Sequence, residues 1–273
     1  MGTFTVMVRY VLRVWIPDHP GSLGTLATCI GEAGADLVGI DILERDGARA
    51  VDELTVEMPD GVAGDLLVEA IAELPGMDVE DIREVVSRIP YAGADVLDVA
   101  VSLTECTTCS ELEGALSHGV CSVFSCDWAA VVELTAAGVS VVASAGAAPS
   151  AGWLGAFVAG ASAGQATRSN GGLAGPRDVA WAALDSADLI VLAGRDGPPF
   201  RTRERRQLHQ LCRIADSRWR DFVLASLKSA HPSATARSEM AVTGRLRRSL
   251  GAGDGLGGLG GLGAPISLFK AVT

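Results

Sequence analysis

The junction Asp18-His19-Pro20-Gly21-Ser22-Leu23 constrains this chain more than any other stretch, because a hydrophobic strand there must hand over to an amphipathic helix within one tight turn. Tyr10 to Ile16 reads as a buried strand with Leu12, Val14 and Ile16 on one face, and Leu23, Leu26, Ala27 and Ile30 follow at helical spacing. Pro20 presets its own φ, and Gly21 lets main chain approach a ligand with no Cβ in the way. The first N–H groups of the new helix lack internal acceptors, so such a start attracts carboxylates.

Beyond the junction the pattern continues as a strand to about Arg45, a turn at Asp46-Gly47, and a strand from about Ala48 to Met58. A helix carrying Leu66, Leu67, Ala70, Ile71 and Leu74 comes next, then a last strand near Met77 to Val86. Asp18 to Leu23 stands as D-x-P-G-x-L, and Ala33-Gly34-Ala35-Asp36-Leu37 stands as A-G-A-[ND]-[IL]. On these motifs residues 8–88 resemble an ACT domain. The resemblance implies an α+β protein whose first domain is a ferredoxin-like βαββαβ unit binding an amino acid. It also implies a homodimer, since in that family the first turn of one copy and the second strand of its neighbour enclose the ligand. The ligand-binding residues it implies are Asp18, His19, Pro20, Gly21, Ser22, Leu23, Asp36 and Leu37. Family members with Asn at the position of Asp36 hold the amino acid with that side chain. An ionised Asp accepts hydrogen bonds only, so it would favour the ligand's ammonium and repel its carboxylate. His19 by itself reads as a solvated turn residue.

In the second half, Asp95–Leu103 and Ser110–Leu116 read as helices, and Ala129–Leu134 and Val139–Ser144 as a hairpin around Ala136-Ala137-Gly138. After a glycine-rich interval a second strand pair is expected at Val179–Leu184 and Leu189–Gly194, with Asp185 to Asp188 between them. A long helix then carries a core stripe of Leu208, Leu211, Ala215, Trp219 and Phe222, and an arginine face of Arg203, Arg205, Arg206, Arg213, Arg218 and Arg220 read as solvated surface or dimer contact. The segment Asp188 to Arg195, then Pro199-Phe200, Glu204, Leu208 and Leu211, is similar to the way GAF domains end. That resemblance implies a GAF-like sensory domain over residues 92–228, an antiparallel sheet flanked by helices, and transfers no particular ligand. Residues 229–273 read as a Gly-rich disordered tail whose Leu246, Leu250 and Pro265 to Val272 are candidates for a partner contact.

Charge narrows the function classes. Residues 1–90 hold 6 basic and 17 acidic side chains, residues 91–200 hold 3 and 11, and the net charge is −11. An acidic body argues against nucleic acid as a partner, because phosphate neutralisation by Lys and Arg supplies most non-specific affinity. The Ala/Gly/Ser-rich stretch from Val139 to Ala166 is interrupted by Pro149 and lacks the density of a membrane span, and Met1 to Tyr10 lacks signal-peptide character, so a cytoplasmic protein without membrane contact is expected.

Four cysteines fall close together, with Cys106 and Cys109 in a C-x-x-C arrangement followed by Cys121 and Cys126. A zinc or iron–sulfur site needs several thiolates converging on one ion, which makes these four the candidate metal ligands; buried, inert thiols are the simpler reading. Gly255 to Gly260 formally fits G-x-G-x-x-G but lies in a Gly/Leu repeat with no strand before it and no helix after it, so no nucleotide cofactor is expected. The four histidines are scattered, and Asp52-Glu53, like Asp185 and Asp188, reads as solvated loop and edge-strand charge. No catalytic constellation emerges. The expectation is a non-catalytic regulator that senses an amino acid at an ACT self-association interface coupled to a GAF-like domain. The alternatives are an adaptor docking onto a metabolic enzyme, and a protein with a cysteine-centred metal or redox function.

Overall fold

Alternation along the first strand and helical spacing after it produce the elements that the sequence leads one to expect. The computed structural model describes residues 7–60, 64–85, 95–135, 138–166 and 178–230. The interval 86–94, the Ala136-Ala137 turn and all of the tail after residue 230 lie outside the described residues.

The first half runs β1 (Met7–Pro17), α1 (Ser22–Glu32), β2 (Asp36–Arg45), β3 (Arg49–Pro59), α2 (Gly64–Ala72) and β4 (Asp78–Val85). Its four strands form an antiparallel sheet in the order β2-β3-β1-β4. Even-numbered residues of β1 and β3 face the two helices: Leu12, Val14, Leu54, Val56 and Met58 pack with Leu26 and Ile30 of α1 and Leu67 and Ile71 of α2. Each fully buried side chain of this kind contributes about 1.5–3 kcal/mol relative to exposure. The β2–β3 hairpin closes on the Asp46 side chain, which accepts from the N–H groups of Ala48 and Arg49.

The second half runs α3 (Val96–Glu105), α4 (Cys109–Val123), β5 (Trp128–Thr135), β6 (Gly138–Gly146), α5 (Ala151–Ala166), β7 (Val179–Leu184), β8 (Leu189–Gly194) and α6 (Thr202–Ala230). The two expected hairpins join through β5 and β8 into one antiparallel sheet, β6-β5-β8-β7. Every residue of β8 is buried, because both faces are covered. Helices α3, α4 and α6 cover one face, where Leu103, Leu112, Leu116, Leu208, Leu211 and Ala215 meet Ala129, Val131 and Val191. Asp95 and Thr108 cap α3 and α4, accepting from Leu97 N–H and Glu111 N–H.

Helix α5 is a departure from the sequence reading, which left a glycine-rich interval there. Its alanines are strong helix formers, and Leu154 and Val158 bury against Ala130, Val132, Ile190 and Leu192 on the other face of the second sheet. Trp153 stands edge-on to Trp128 at 5.9 Å and stacks on Phe157 at 5.6 Å. Where the chain leaves β6, Gly146 has φ +69°, and a Cβ there would lie 2.0 Å from the carbonyl oxygen of Asp127.

Among the described residues the fold is therefore mixed α/β, with two antiparallel four-stranded sheets and six helices. No helix among them is long and apolar enough to cross a membrane.

Candidate functional site

At the β1–α1 turn, the Asp18 N–H donates to the Ala48 carbonyl at 2.9 Å, which ties the turn to the β2–β3 hairpin. Gly21 sits at the helix N-cap in the left-handed region (φ 97°, ψ −22°), and no side chain caps the helix. The Ser22 hydroxyl, a natural cap, lies 2.9 Å from His19 Nδ1 instead, and Ser22 is 3% exposed. The Ser22 N–H donates to the His19 carbonyl and the Thr25 N–H to the Gly21 carbonyl. That leaves the N–H groups of Leu23 and Gly24, second and third in the helix, without an intrahelical acceptor. The turn residues Asp18, His19, Pro20, Gly21, Ser22 and Leu23 thus gather at one open helix start.

Asp36 and Leu37 are not brought to this turn by their own chain. Asp36 opposes Glu57 at one end of β2, whereas Arg45 opposes Ala50 at the other, beside the turn. Seven positions along β3 at ~3.3 Å each separate them by about 23 Å.

The residue that does lie beneath the turn is Asp52, and it corrects the reading of Asp52-Glu53 as solvated charge. Asp52 stands between Val14 on β1 and Ile42 on β2, in the row of β3 that faces the helices. It is 2% exposed, and its Oδ1 is buried without a hydrogen-bond partner among the described residues. Burial holds its carboxyl above the ordinary carboxylate range, with Arg45 pulling it down and Asp18 pushing it up. Arg45 itself reaches Asp18, Nε to Oδ2 3.8 Å, at the mouth of the turn. Glu53 points to the opposite face and accepts from Arg13 Nε at 2.8 Å.

That opposite face is where the two halves meet. Arg13, expected on the outward side of β1, donates to Glu204 of α6 through both terminal nitrogens (2.6 and 3.3 Å). Arg195 donates to the same carboxylate at 2.9 and 3.0 Å, and the Arg201 N–H does so at 2.7 Å. Burial alone would raise the Glu204 carboxyl; hydrogen bonds from Arg195 and the charges of Arg13 and Arg195 outweigh it and hold it below the ordinary range. Arg201, 4% exposed, pairs with Glu44 and Glu80 of the first sheet and lies over the Trp15 ring at 4.8 Å. Beside this network a cleft of about 930 Å³ opens between the first sheet and the ends of α4 and α6, floored by Arg9, Arg13, Glu53 and Glu57.

The arginine face of α6 is only partly solvated. Arg203 pairs with Asp41 of β2 at 2.6 Å, Arg205 donates to the Val179 carbonyl, and Arg218 donates to the Cys106 carbonyl, while Arg206, Arg213 and Arg220 are exposed. The stripe from Leu208 to Ala215 is buried core, as its spacing implies.

Cys106 donates to Ser102 O and Cys121 to Cys126 O, so these thiols end on backbone carbonyls. Burial pushes the Cys126 thiol up to about 12 and raises those of Cys106, Cys109 and Cys121 as well. Among the described residues no three or more His, Cys, Asp or Glu side chains are placed to hold a metal ion.

No family model matches the chain. A stretch of 77 residues is 27% identical to an NAD-dependent malic enzyme of Geobacillus stearothermophilus; it covers 28% of this chain and spans only 16% of that enzyme's length. Solved structures with some similarity include a formyltetrahydrofolate deformylase of Pseudomonas putida KT2440 (13% identity, 36% of this chain and 38% of that one, TM-score 0.23). Another is an unknown protein from Galdieria sulphuraria (13% identity, 80% and 94%, TM-score 0.28). A third is a bacteriophytochrome from R. palustris (10% identity, 91% and 64%, TM-score 0.33). These TM-scores are too low for any of the three to define a common fold.

Proposed function

We propose that the protein is a non-catalytic regulator whose ACT-like first half binds an amino acid at the β1–α1 turn and couples occupancy to its GAF-like second half. The observation that carries this reading is the uncapped start of α1, where Gly21 at φ +97° keeps main chain accessible and the Leu23 and Gly24 N–H groups are available to a carboxylate. The order βαββαβ and the D-x-P-G-x-L turn support the ACT-like assignment.

A homodimer completes the site in this reading. The edge strand β2 leaves Val38, Ile40 and Ile42 exposed at 47%, 41% and 39%. Antiparallel pairing of two such edges about a two-fold axis would set one copy's Asp36 end beside its partner's Arg45 end, and so beside the partner's turn. Asp36 and Leu37 then line the rim. A ligand bridging two copies stabilises the assembly by its differential affinity for the complete site. The buried Arg13–Glu204–Arg195 network carries the change in the first sheet to α6. Six free cysteines suit a reducing, cytoplasmic setting.

A second reading, an adaptor that docks on a metabolic enzyme, draws on exposed Leu97 and Val101 of α3 and Val223, Leu224 and Leu227 of α6. Thermal-shift and size-exclusion measurements with the twenty common amino acids test the first reading. One of them should raise the melting temperature and shift the chain toward a dimer; no response to any of them refutes sensing, and ligand-free capture of an identified metabolic enzyme would then favour docking.

A further inference from the structure

The first sheet carries a buried carboxyl, one oxygen of which has no hydrogen-bond partner among the described residues. Buried carboxylates in native structures accept hydrogen bonds, because an unsatisfied one bears the full penalty of desolvation. Asp52 departs from this: it is 2% exposed, its Oδ1 has no hydrogen-bond partner among the described residues, and Arg45, whose charge attracts it, makes its ion pair with Asp18 instead. Its neighbours across the sheet, Val14 and Ile42, are aliphatic and offer no donor. A donor brought to this oxygen would relieve that cost.

Its placement says what that is. The even-numbered row of β3 faces the helices, and Asp52 is one position in from Ala50, which opposes Arg45 and Ile16 at the hairpin end. The α1 start is at that same end, held there by the Asp18–Ala48 hydrogen bond. Two complementary features therefore share one end of the sheet: main-chain N–H donors suited to an anion, and a buried acceptor suited to a cation.

Resting on the amino-acid reading above, we propose that Asp52 is the specificity-determining residue of the site and receives the α-ammonium of a free amino acid whose carboxylate lies on the α1 start. The ligand class is thereby narrowed to zwitterions with an unblocked amino group. N-acylated amino acids and 2-oxo acids, which offer no ammonium, leave Asp52 unsatisfied and are rejected, as sites built around a hydrogen bond reject analogues that lack it. Asp36 of a neighbouring copy, at the rim, has the smaller part.

Titration calorimetry on the full chain tests this, using the twenty common amino acids and the N-acetyl derivative of whichever binds. Asp52→Asn should weaken binding by about ten- to a hundredfold, as expected for loss of a charge-assisted hydrogen bond, and the N-acetyl derivative should not bind the unaltered protein. The melting temperature of ligand-free Asp52→Asn should be unchanged or higher, because the buried Oδ1 has no hydrogen bond among the described residues to lose and the desolvation of the carboxyl outweighs the attraction of Arg45. Unchanged affinity in Asp52→Asn, or binding of the N-acetyl derivative, overturns the assignment while leaving the amino-acid site standing. Failure of every amino acid to bind the unaltered protein overturns both. A ligand-free Asp52→Asn that melts well below the parent marks the residue as structural and also overturns the assignment.

Discussion

Replacing Glu204 by Ala removes the carboxylate that two buried guanidinium groups share, leaving Arg13 with Glu53 and Arg195 with the carbonyls of Phe124, Pro198 and Pro199. In the native chain the Glu204 carboxylate accepts two hydrogen bonds from Arg13, two from Arg195 and one from the Arg201 N–H. The side chains of Arg13 and Arg195 are each 3% exposed and that of Glu204 is 5% exposed, so the lost pairs lie out of bulk solvent in the native chain. Removing one partner of such a buried pair destabilises by about 3–5 kcal/mol. At about 2–4 °C per kcal/mol for a chain of this size, the melting temperature should fall by about 6–20 °C. Urea denaturation followed by circular dichroism measures the free energy, and Arg13→Met with the double variant completes a cycle isolating the Arg13–Glu204 coupling. Protonation has the same sign. The folded carboxyl is held below its unfolded value of about 4.3, so its stabilisation is complete above that pH and is lost as pH falls through the lower folded value. A Glu204→Ala penalty under about 1 kcal/mol, or an acid limb unchanged in the variant, would refute the account of this network as a buried junction.

Gly146→Ala should destabilise severely, because the new Cβ would sit 2.0 Å from the Asp127 carbonyl in a left-handed backbone; a melting temperature within a degree of the parent contradicts this. Gly21→Ala has open space around its Cβ, so only backbone strain of about 1–2 kcal/mol is expected, and an unperturbed fold with a clearly larger loss would argue against the turn geometry. Iodoacetamide on the native chain at about pH 8, near the free thiol pKa, should spare Cys126 and Cys212, both raised by burial. Early alkylation of either, mapped by mass spectrometry, would contradict that burial.

The first sheet and its helices were legible in the sequence because each element carries a clean period: Leu12, Val14 and Ile16 at two, Leu26 and Ile30 at four. The core stripe of α6 was legible for the same reason. Helix α5 was not, since among its described side chains only Leu154 and Val158, with Phe157 beside them, bury in the core among Ala and Gly, and its sequence shows no periodic apolar face. The junction between the halves was also hidden. Arg13 and Glu53 alternate outward from the core row as solvent-facing charges do, and Arg13 is buried through its pairing with Glu204 of α6, 191 positions along the chain, while Glu53 stays partly exposed. Asp52 differs again: it occupies a core-row position where alternation calls for an apolar residue, and that violation was its signal. Asp36 matched a motif that fixes its place on β2, but no single chain can carry it across the sheet to the turn.

The central claim is that the main-chain donors opening α1 hold a ligand's carboxylate. Backbone amide NMR of the full chain, titrated with each common amino acid, observes those donors themselves. The account requires the largest shifts at the Leu23 and Gly24 N–H signals, saturating together with those flanking Asp52. An amino acid that binds and leaves those amides unmoved, or a full panel that moves nothing, would contradict it.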